Sequence, residues 1–169
     1  MKKYVVMVVV AIVLIIGGGT FAYFHFANGG PWQGTWWGVQ DAGVNWSGDN
    51  IRNLETVTFT LNDDKTITVD HKVQQGSREV PGSLTGTGRT DGGRLVITPK
   101  NGGKELALSY SAVSKSIDTP FTNADKSTVT LKALSPENNE EMESIRSEIV
   151  QISQKPENKI DTTLSKAKS

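Results

Sequence analysis

Apolar and polar residues alternate with a period of two through the middle of the chain. Residues 57–61 place Val, Phe and Leu between threonines, and the alternation returns at residues 67–73. Between these runs, residues 62–65 are Asn, Asp, Asp and Lys, which is typical turn chemistry. A strand with one apolar face has this period, so the pattern predicts an antiparallel β-hairpin.

Further alternating runs predict strands at 33–40, 83–89, 94–98, 105–114 and 129–133, most of them bounded by Gly, Asn or Asp. About seven to eight serial strands favour an antiparallel meander that closes into a small β-barrel, because closure removes exposed strand edges; a sandwich is the alternative. Gly86 and Gly88 share the parity of Leu84, so they face inward and either bend the strand, which we favour, or leave a cavity.

Helical spacing replaces the alternation after residue 134. Ser135 and Pro136 form a helix start, and an apolar stripe follows at Met142, Ile145, Ile149 and Ile152. This pattern predicts an amphipathic α-helix over residues 135–154 that packs on the barrel, and a partner-binding or dimerising helix is the alternative. Residues 155–169 are polar and predict a disordered tail.

The first 27 residues are mostly apolar, and no charged side chain occurs between Lys3 and Asp41. Residues 4–24 as a helix extend about 31 Å, which matches the bilayer core. The prediction is a single transmembrane helix that binds the chain to the cell membrane, with the N-terminus cytoplasmic and the rest of the chain extracytoplasmic. Trp32 then suits the interfacial aromatic belt; secretion after signal cleavage is the alternative.

The composition of the chain argues against several classes of function. The chain has 169 residues, is 36% hydrophobic and balances 18 basic against 18 acidic residues. Because so much of its apolar content lies at the N-terminus, the remainder supports one modest core. Zero net charge argues against a nucleic-acid binder, and the absence of cysteine excludes disulfides, thiolate metal sites, a cysteine nucleophile and a lipoprotein anchor.

The pair Gly34-x-Trp36, at the start of a meander that ends in a helix, resembles the calycin barrels, lipocalin-like and avidin-like; residues 83–88 are also similar to avidin-type strands. The resemblance implies that Trp36 plugs the closed end of the barrel and that Lys132 packs on its indole, where lipocalins use arginine. The chain lacks the second lipocalin motif and the later tryptophans of avidins. The resemblance therefore implies a barrel and no particular ligand.

Two histidines limit the catalytic chemistry. His25 lies in the apolar N-terminal run, and His71 shares the parity of the apolar residues in its strand, which predicts a core or barrel-mouth position. A hydrolase would need His71 as its base, and no Gly-x-Ser-x-Gly elbow is present. Two histidines in such different places do not make a zinc site, so we predict neither a metal nor a cofactor.

All four tryptophans lie early, between residues 32 and 46. Trp36 and Trp37 are adjacent, so they face opposite sides of a strand, one in the core and the other on the surface or at the membrane interface. Trp46 lies in a loop, where it either stacks on a sugar ring or hydrophobic ligand or packs the barrel end. The candidate ligand-binding residues are Trp36, Trp37, Trp46, His71 and Tyr110.

These patterns predict a membrane segment (1–27), an extracytoplasmic β-barrel (28–134), a helix (135–154) and a tail (155–169). The expected function is non-enzymatic binding of a small hydrophobic ligand or a cell-envelope component. The alternative is an assembly protein that contacts another envelope protein through its C-terminal helix, and a hydrolase ranks third. The sequence determines neither the ligand nor the oligomeric state.

Overall fold

The structure, a computed structural model, describes residues 30–155. The predicted membrane segment lies outside these residues, as does the predicted tail after Lys155. Within the described part, no helix is long and apolar enough to cross a membrane. The elements are β1 (Gly34–Val44), β2 (Asn50–Leu61), β3 (Ile67–Gln75), β4 (Arg78–Pro81), β5 (Gly86–Asp91), β6 (Arg94–Pro99), β7 (Leu106–Ser111), β8 (Ser116–Thr122), β9 (Thr128–Ala133) and α1 (Pro136–Gln154).

Eight strands close into an antiparallel barrel. Their order is β1-β2-β3-β5-β6-β7-β8-β9, and β9 returns to β1. The closing seam joins Trp36 to Ala133 and Trp37 to Lys132. The short strand β4 pairs with residues 72–75 of β3, beyond the point where β5 stops. The predicted antiparallel barrel is confirmed.

The hairpin predicted around residues 62–65 is confirmed, with Leu61 opposite Ile67 and Val57 opposite His71. The structure differs elsewhere: β2 begins at Asn50, the strand predicted at 105–114 is the shorter β7, and two strands were not predicted, β4 and β8. The second of these, β8, contains Pro120, a residue that argues against a strand in a sequence. Its register with β9 shifts between Asp118 and Thr122, which is how the sheet accommodates the proline.

One five-residue turn closes three hairpins, at residues 45–49, 62–66 and 123–127. In each, the first residue is asparagine, and its amide donates to the carbonyl of the fifth residue at 2.8–3.0 Å. The fourth residue, Gly48, Lys65 or Lys126, has a φ of 85°, 65° or 69°. We call the end that carries 45–49 and 123–127 the upper end; residues 30–33 and the turn 62–66 are at the lower end.

The barrel interior is filled by apolar side chains. Those that are at most 6% exposed are Trp32, Trp36, Val57, Phe59, Ile67, Val69, Leu84, Leu95, Ile97, Leu108, Ile117 and Leu131. The inward glycines leave no cavity, because a methyl group on Gly88 would lie 2.7 Å from Cδ1 of Leu95 and one on Gly86 would overlap the carbonyl oxygen of Thr98. Tight packing is therefore their role.

Trp32 belongs to this core and not to an interfacial belt. It is 2% exposed, and its ring meets Phe59 edge to face at 5.9 Å between centroids. Trp32 is therefore not part of the expected aromatic belt, because the segment before β1 folds across the lower end of the barrel.

The predicted C-terminal helix is confirmed as α1, which runs along the outside of the barrel from the lower to the upper end. Its stripe packs on the barrel of its own chain, where Met142 and Ile149 bury Trp37 and Leu54 in a second core. Oδ1 of Asn138 accepts hydrogen bonds from the indole of Trp37 at 3.2 Å and from the N-cap amide at 3.0 Å, which joins the helix start to β1.

Candidate functional site

The structure brings three of the five candidate ligand-binding residues into the barrel. Trp36, His71 and Tyr110 all point inward, and Trp36 meets Tyr110 edge to face at 6.2 Å between centroids. Trp37 lies outside the barrel wall beneath α1, and Trp46 lies at the tip of the β1–β2 turn with 83% of its surface exposed. The five residues therefore do not form one site.

The two adjacent tryptophans are both buried, on opposite faces of β1. Trp36 is inside, as the barrel resemblance implied, and its indole donates to the carbonyl of Gln33 at 3.1 Å. The expectation that Lys132 packs on Trp36 is corrected, because its Nζ lies 4.2 Å from the ring centroid of Trp37. Lys132 pairs with Trp37 across the seam, so its side chain shares the outer face, where it also reaches Glu141 at 2.7 Å.

His71 is the polar centre of the barrel interior, and its partner is a carboxylate. Nε2 of His71 lies 2.5 Å from Oε2 of Glu55, and the two side chains are 2% and 4% exposed. The amide of Leu84 donates to Nδ1 at 3.2 Å. Because Nδ1 accepts this hydrogen bond, Nε2 is the ring nitrogen that donates to Oε2 of Glu55.

The backbone around residues 82–85 encloses the imidazole. The hydroxyl of Thr85 donates to the carbonyl of His71 at 3.1 Å, and the amide of Gly82 donates to the same oxygen at 2.7 Å. Phe121 stacks on the ring at 5.7 Å between centroids. Both ring nitrogens are engaged by protein groups, so His71 has no free nitrogen with which to act as a base.

Glu55 was missed as a functional residue in the sequence, although a signal for it existed. It lies on the parity of Val57 and Phe59, so the alternation places its carboxylate inside the barrel. The hairpin register then sets Val57 opposite His71, which puts Glu55 on the adjacent diagonal. The sequence indicated the pair through an acidic residue on an apolar strand face, diagonally adjacent to the histidine of the next strand.

A cavity of about 230 Å³ lies at the upper mouth of the barrel, directly above the Glu55–His71 pair. Its apolar wall includes Val73, Val80 and Phe121, and its remaining lining residues are Gln40, Gln75, Pro81, Gly82 and Ser83. The deep interior below it is filled by apolar side chains.

A larger groove of about 330 Å³ lies outside the barrel at the upper end. It runs between the turn 45–49 and the last turns of α1, and Trp46, Ile51 and Ile152 form its apolar surface. Asn50 and Arg52 are its polar neighbours, and Arg52 pairs with Glu148 of the helix.

No group of three or more His, Cys, Asp or Glu side chains within residues 30–155 is placed to hold a metal ion. The clear changes of carboxylate pKa are instead at exposed turns and pairs. Hydrogen bonds from the hydroxyl and amide of Thr66 lower the pKa of Asp64, and Ser127 lowers that of Asp125 in the same way. These shifts belong to turn structure.

No protein-family model matches the chain, and no curated protein matches its sequence.

Proposed function

We propose that this protein is a non-enzymatic, membrane-anchored extracytoplasmic domain that binds saccharide-bearing material of the cell envelope through the upper groove. The observation that carries the proposal is Trp46, which is 83% exposed beside an open groove while the barrel interior is packed. Large exposed aromatic side chains at the edge of a concave surface are typical of binding sites.

The groove walls favour a ring that is apolar on one face and polar at its edge. The indole of Trp46 offers a flat apolar surface, and Ile51 and Ile152 continue it. Asn50 and Arg52 supply hydrogen-bonding groups on the same groove. A sugar ring has this combination of an apolar face and peripheral hydroxyls.

The predicted membrane segment determines which way the groove faces relative to the bilayer. Residues 30–33 enter the lower end of the barrel, and β1 has 11 residues, which spans about 35 Å at roughly 3.3 Å per residue. If residues 4–24 cross the membrane, Trp46 is directed away from the bilayer and towards the cell wall or outer envelope. This orientation supports an envelope component over a membrane lipid as the partner.

The non-enzymatic part of the proposal is supported by His71, because both of its ring nitrogens are engaged. The calycin-like relationship is supported by the closed eight-stranded barrel and by the inward position of Trp36 after Gly34. We propose it as a structural relationship only.

Co-sedimentation tests the proposal. The full chain in neutral detergent is spun with purified peptidoglycan or alone. We expect it to pellet with peptidoglycan and to stay in solution alone, and Trp46→Ala to weaken the interaction at least tenfold. The matched control is Val113→Ala, because Val113 is 97% exposed but lies at the lower end. Equal pelleting of both variants, or no pelleting with peptidoglycan, would contradict the proposal.

A second candidate is assembly with another envelope protein through the same groove, because Ile152 and Ser153 bring the end of α1 into it. Deleting the helix is a poor test, since Met142 and Ile149 cover Trp37. The better variant is Ile152→Glu. Loss of a co-purifying protein in Ile152→Glu, with peptidoglycan binding retained, would favour assembly over saccharide binding.

A further inference from the structure

The mouth cavity is lined by a carboxyl group that the surrounding protein only partly satisfies with hydrogen bonds. Glu55 accepts one hydrogen bond, from His71, and its other carboxylate oxygen, Oε1, has no hydrogen-bonding partner within residues 30–155. A carboxylate can accept about four hydrogen bonds, and withdrawing it from water is costly unless donors or an opposite charge compensate. Glu55 is 3% exposed and is one of the residues that line the cavity.

The donor and acceptor groups of the His71 ring are both used within the protein. The amide of Leu84 donates to Nδ1, and Nε2 donates to Oε2 of Glu55, so the ring supplies no donor to Oε1. Among the other lining residues of the cavity none is charged. Lys72 and Glu79 pair with each other at 3.3 Å on the outer face and supply no compensating charge inside.

The shape of the cavity selects a small ligand. Its volume of about 230 Å³ corresponds to about seven water volumes at roughly 30 Å³ each. Phe121, Val73 and Val80 form an apolar wall above the carboxylate. A single carboxylate provides too few oxygen ligands for Ca²⁺ or Mg²⁺, whereas it suits one positively charged donor carried on a short apolar chain.

We propose that the mouth cavity binds a small organic ammonium ion. The –NH₃⁺ group donates to Oε1 of Glu55, and the carbon chain lies against Phe121 and Val80. His71 positions the carboxylate through Oε2 and leaves Oε1 for the ligand. This site is separate from the upper groove, so a test of ammonium binding does not depend on whether the protein binds saccharides.

Isothermal titration of the full chain in neutral detergent tests the proposal, with n-butylammonium as the probe. n-Butanol and butyrate are the matched neutral and anionic compounds. We expect saturable one-to-one binding of butylammonium, at least tenfold weaker binding of butanol, and none of butyrate. Equal binding of butylammonium and butanol, or no saturation by any of the three, would overturn the proposal; the latter result would mean that the cavity holds water only.

Two variants locate the site. Glu55→Gln keeps the size of the side chain and removes its charge, so affinity for butylammonium should fall at least tenfold. Val80→Phe adds bulk to the cavity wall and leaves both Glu55 and His71 in the sequence, and it should block binding even if Glu55→Gln fails to fold. Glu79→Gln and Trp46→Ala are the controls and should bind as the wild type does. Unchanged affinity in Val80→Phe would refute the assignment.

Discussion

Nε2 of His71 lies 2.5 Å from Oε2 of Glu55, inside a barrel whose other inward side chains are mainly apolar. The pair joins β2 to β3 at the level where the packed core ends and the mouth cavity begins. Removing either partner leaves a polar atom of the other buried without its hydrogen bond, which makes the pair a sensitive point of the fold.

The first prediction concerns this pair. His71→Ala should lower the free energy of unfolding by about 1–3 kcal/mol, because it leaves Oε2 of Glu55 buried without its donor. Urea denaturation monitored by tryptophan fluorescence measures the loss. The control is Lys72→Ala, which breaks a half-exposed pair with Glu79 and should cost about 0–1 kcal/mol. Equal losses in the two variants would mean that the buried pair stabilises the fold no more than the half-exposed pair does.

The second prediction concerns the glycine that passes over the imidazole. A methyl group on Gly82 would overlap the ring of His71, so Gly82→Ala must displace it. We expect a loss of about 1–3 kcal/mol in the free energy of unfolding from this overpacking. Gly103→Ala is the control, since its methyl would meet only the flexible amide of Asn101 at 3.2 Å. If thermal unfolding ranks the variants in the reverse order, the enclosure of His71 is not rigid.

The third prediction concerns the second core. Ile149 is 4% exposed under the helix, so Ile149→Ala should cost about 2–5 kcal/mol. Val113→Ala, at a residue 97% exposed, should change stability by less than about 0.5 kcal/mol. Far-UV circular dichroism during denaturant titration measures both. A helix signal that unfolds before the barrel in the wild type would contradict the single cooperative packing that we expect.

The fourth prediction concerns titration of the repeated turns. The hydroxyl and amide of Thr66 hold the pKa of Asp64 below its ordinary value, so Thr66→Val should raise that pKa. Because the folded-state pKa is the lower one, the stabilisation is present above the unfolded pKa of Asp64 and is lost as pH falls through the folded pKa. Carboxyl NMR titration measures the shift. Asp125 in the matching turn is an internal control and should not change.

Parts of the fold were predictable because they depend on local patterns. The alternation at residues 57–73 sets the faces of β2 and β3, and the stripe of α1 sets its buried side. β8 was missed because Pro120 argues against a strand and because its turn uses Lys115 at a φ of 50°, where glycine or asparagine is expected. The sequence does contain the repeated turn, as Asn-x-Asp-Lys followed by Thr66 or Ser127.

The candidate site was less predictable because it depends on contacts between distant elements. Parity places His71 and Glu55 inside, yet their hydrogen bond follows only from the register of β2 and β3. The location of Trp37 requires knowing that α1 crosses β1, since its partner Asn138 is 101 positions away. Trp46 was correctly placed in a loop, but the groove beside it needs the helix end as a second wall.

The seam between β1 and β9 has a kinetic consequence. Most strand pairs of the barrel join neighbours in the chain, whereas Trp36 reaches Ala133 across nearly the whole domain. Closing so long a loop costs conformational entropy before any seam contact compensates for it, so closure comes late in folding. Until residue 133 has emerged and joined β1, both edge strands present unpaired backbone groups, and this interval is when the chain is most prone to pair with another copy.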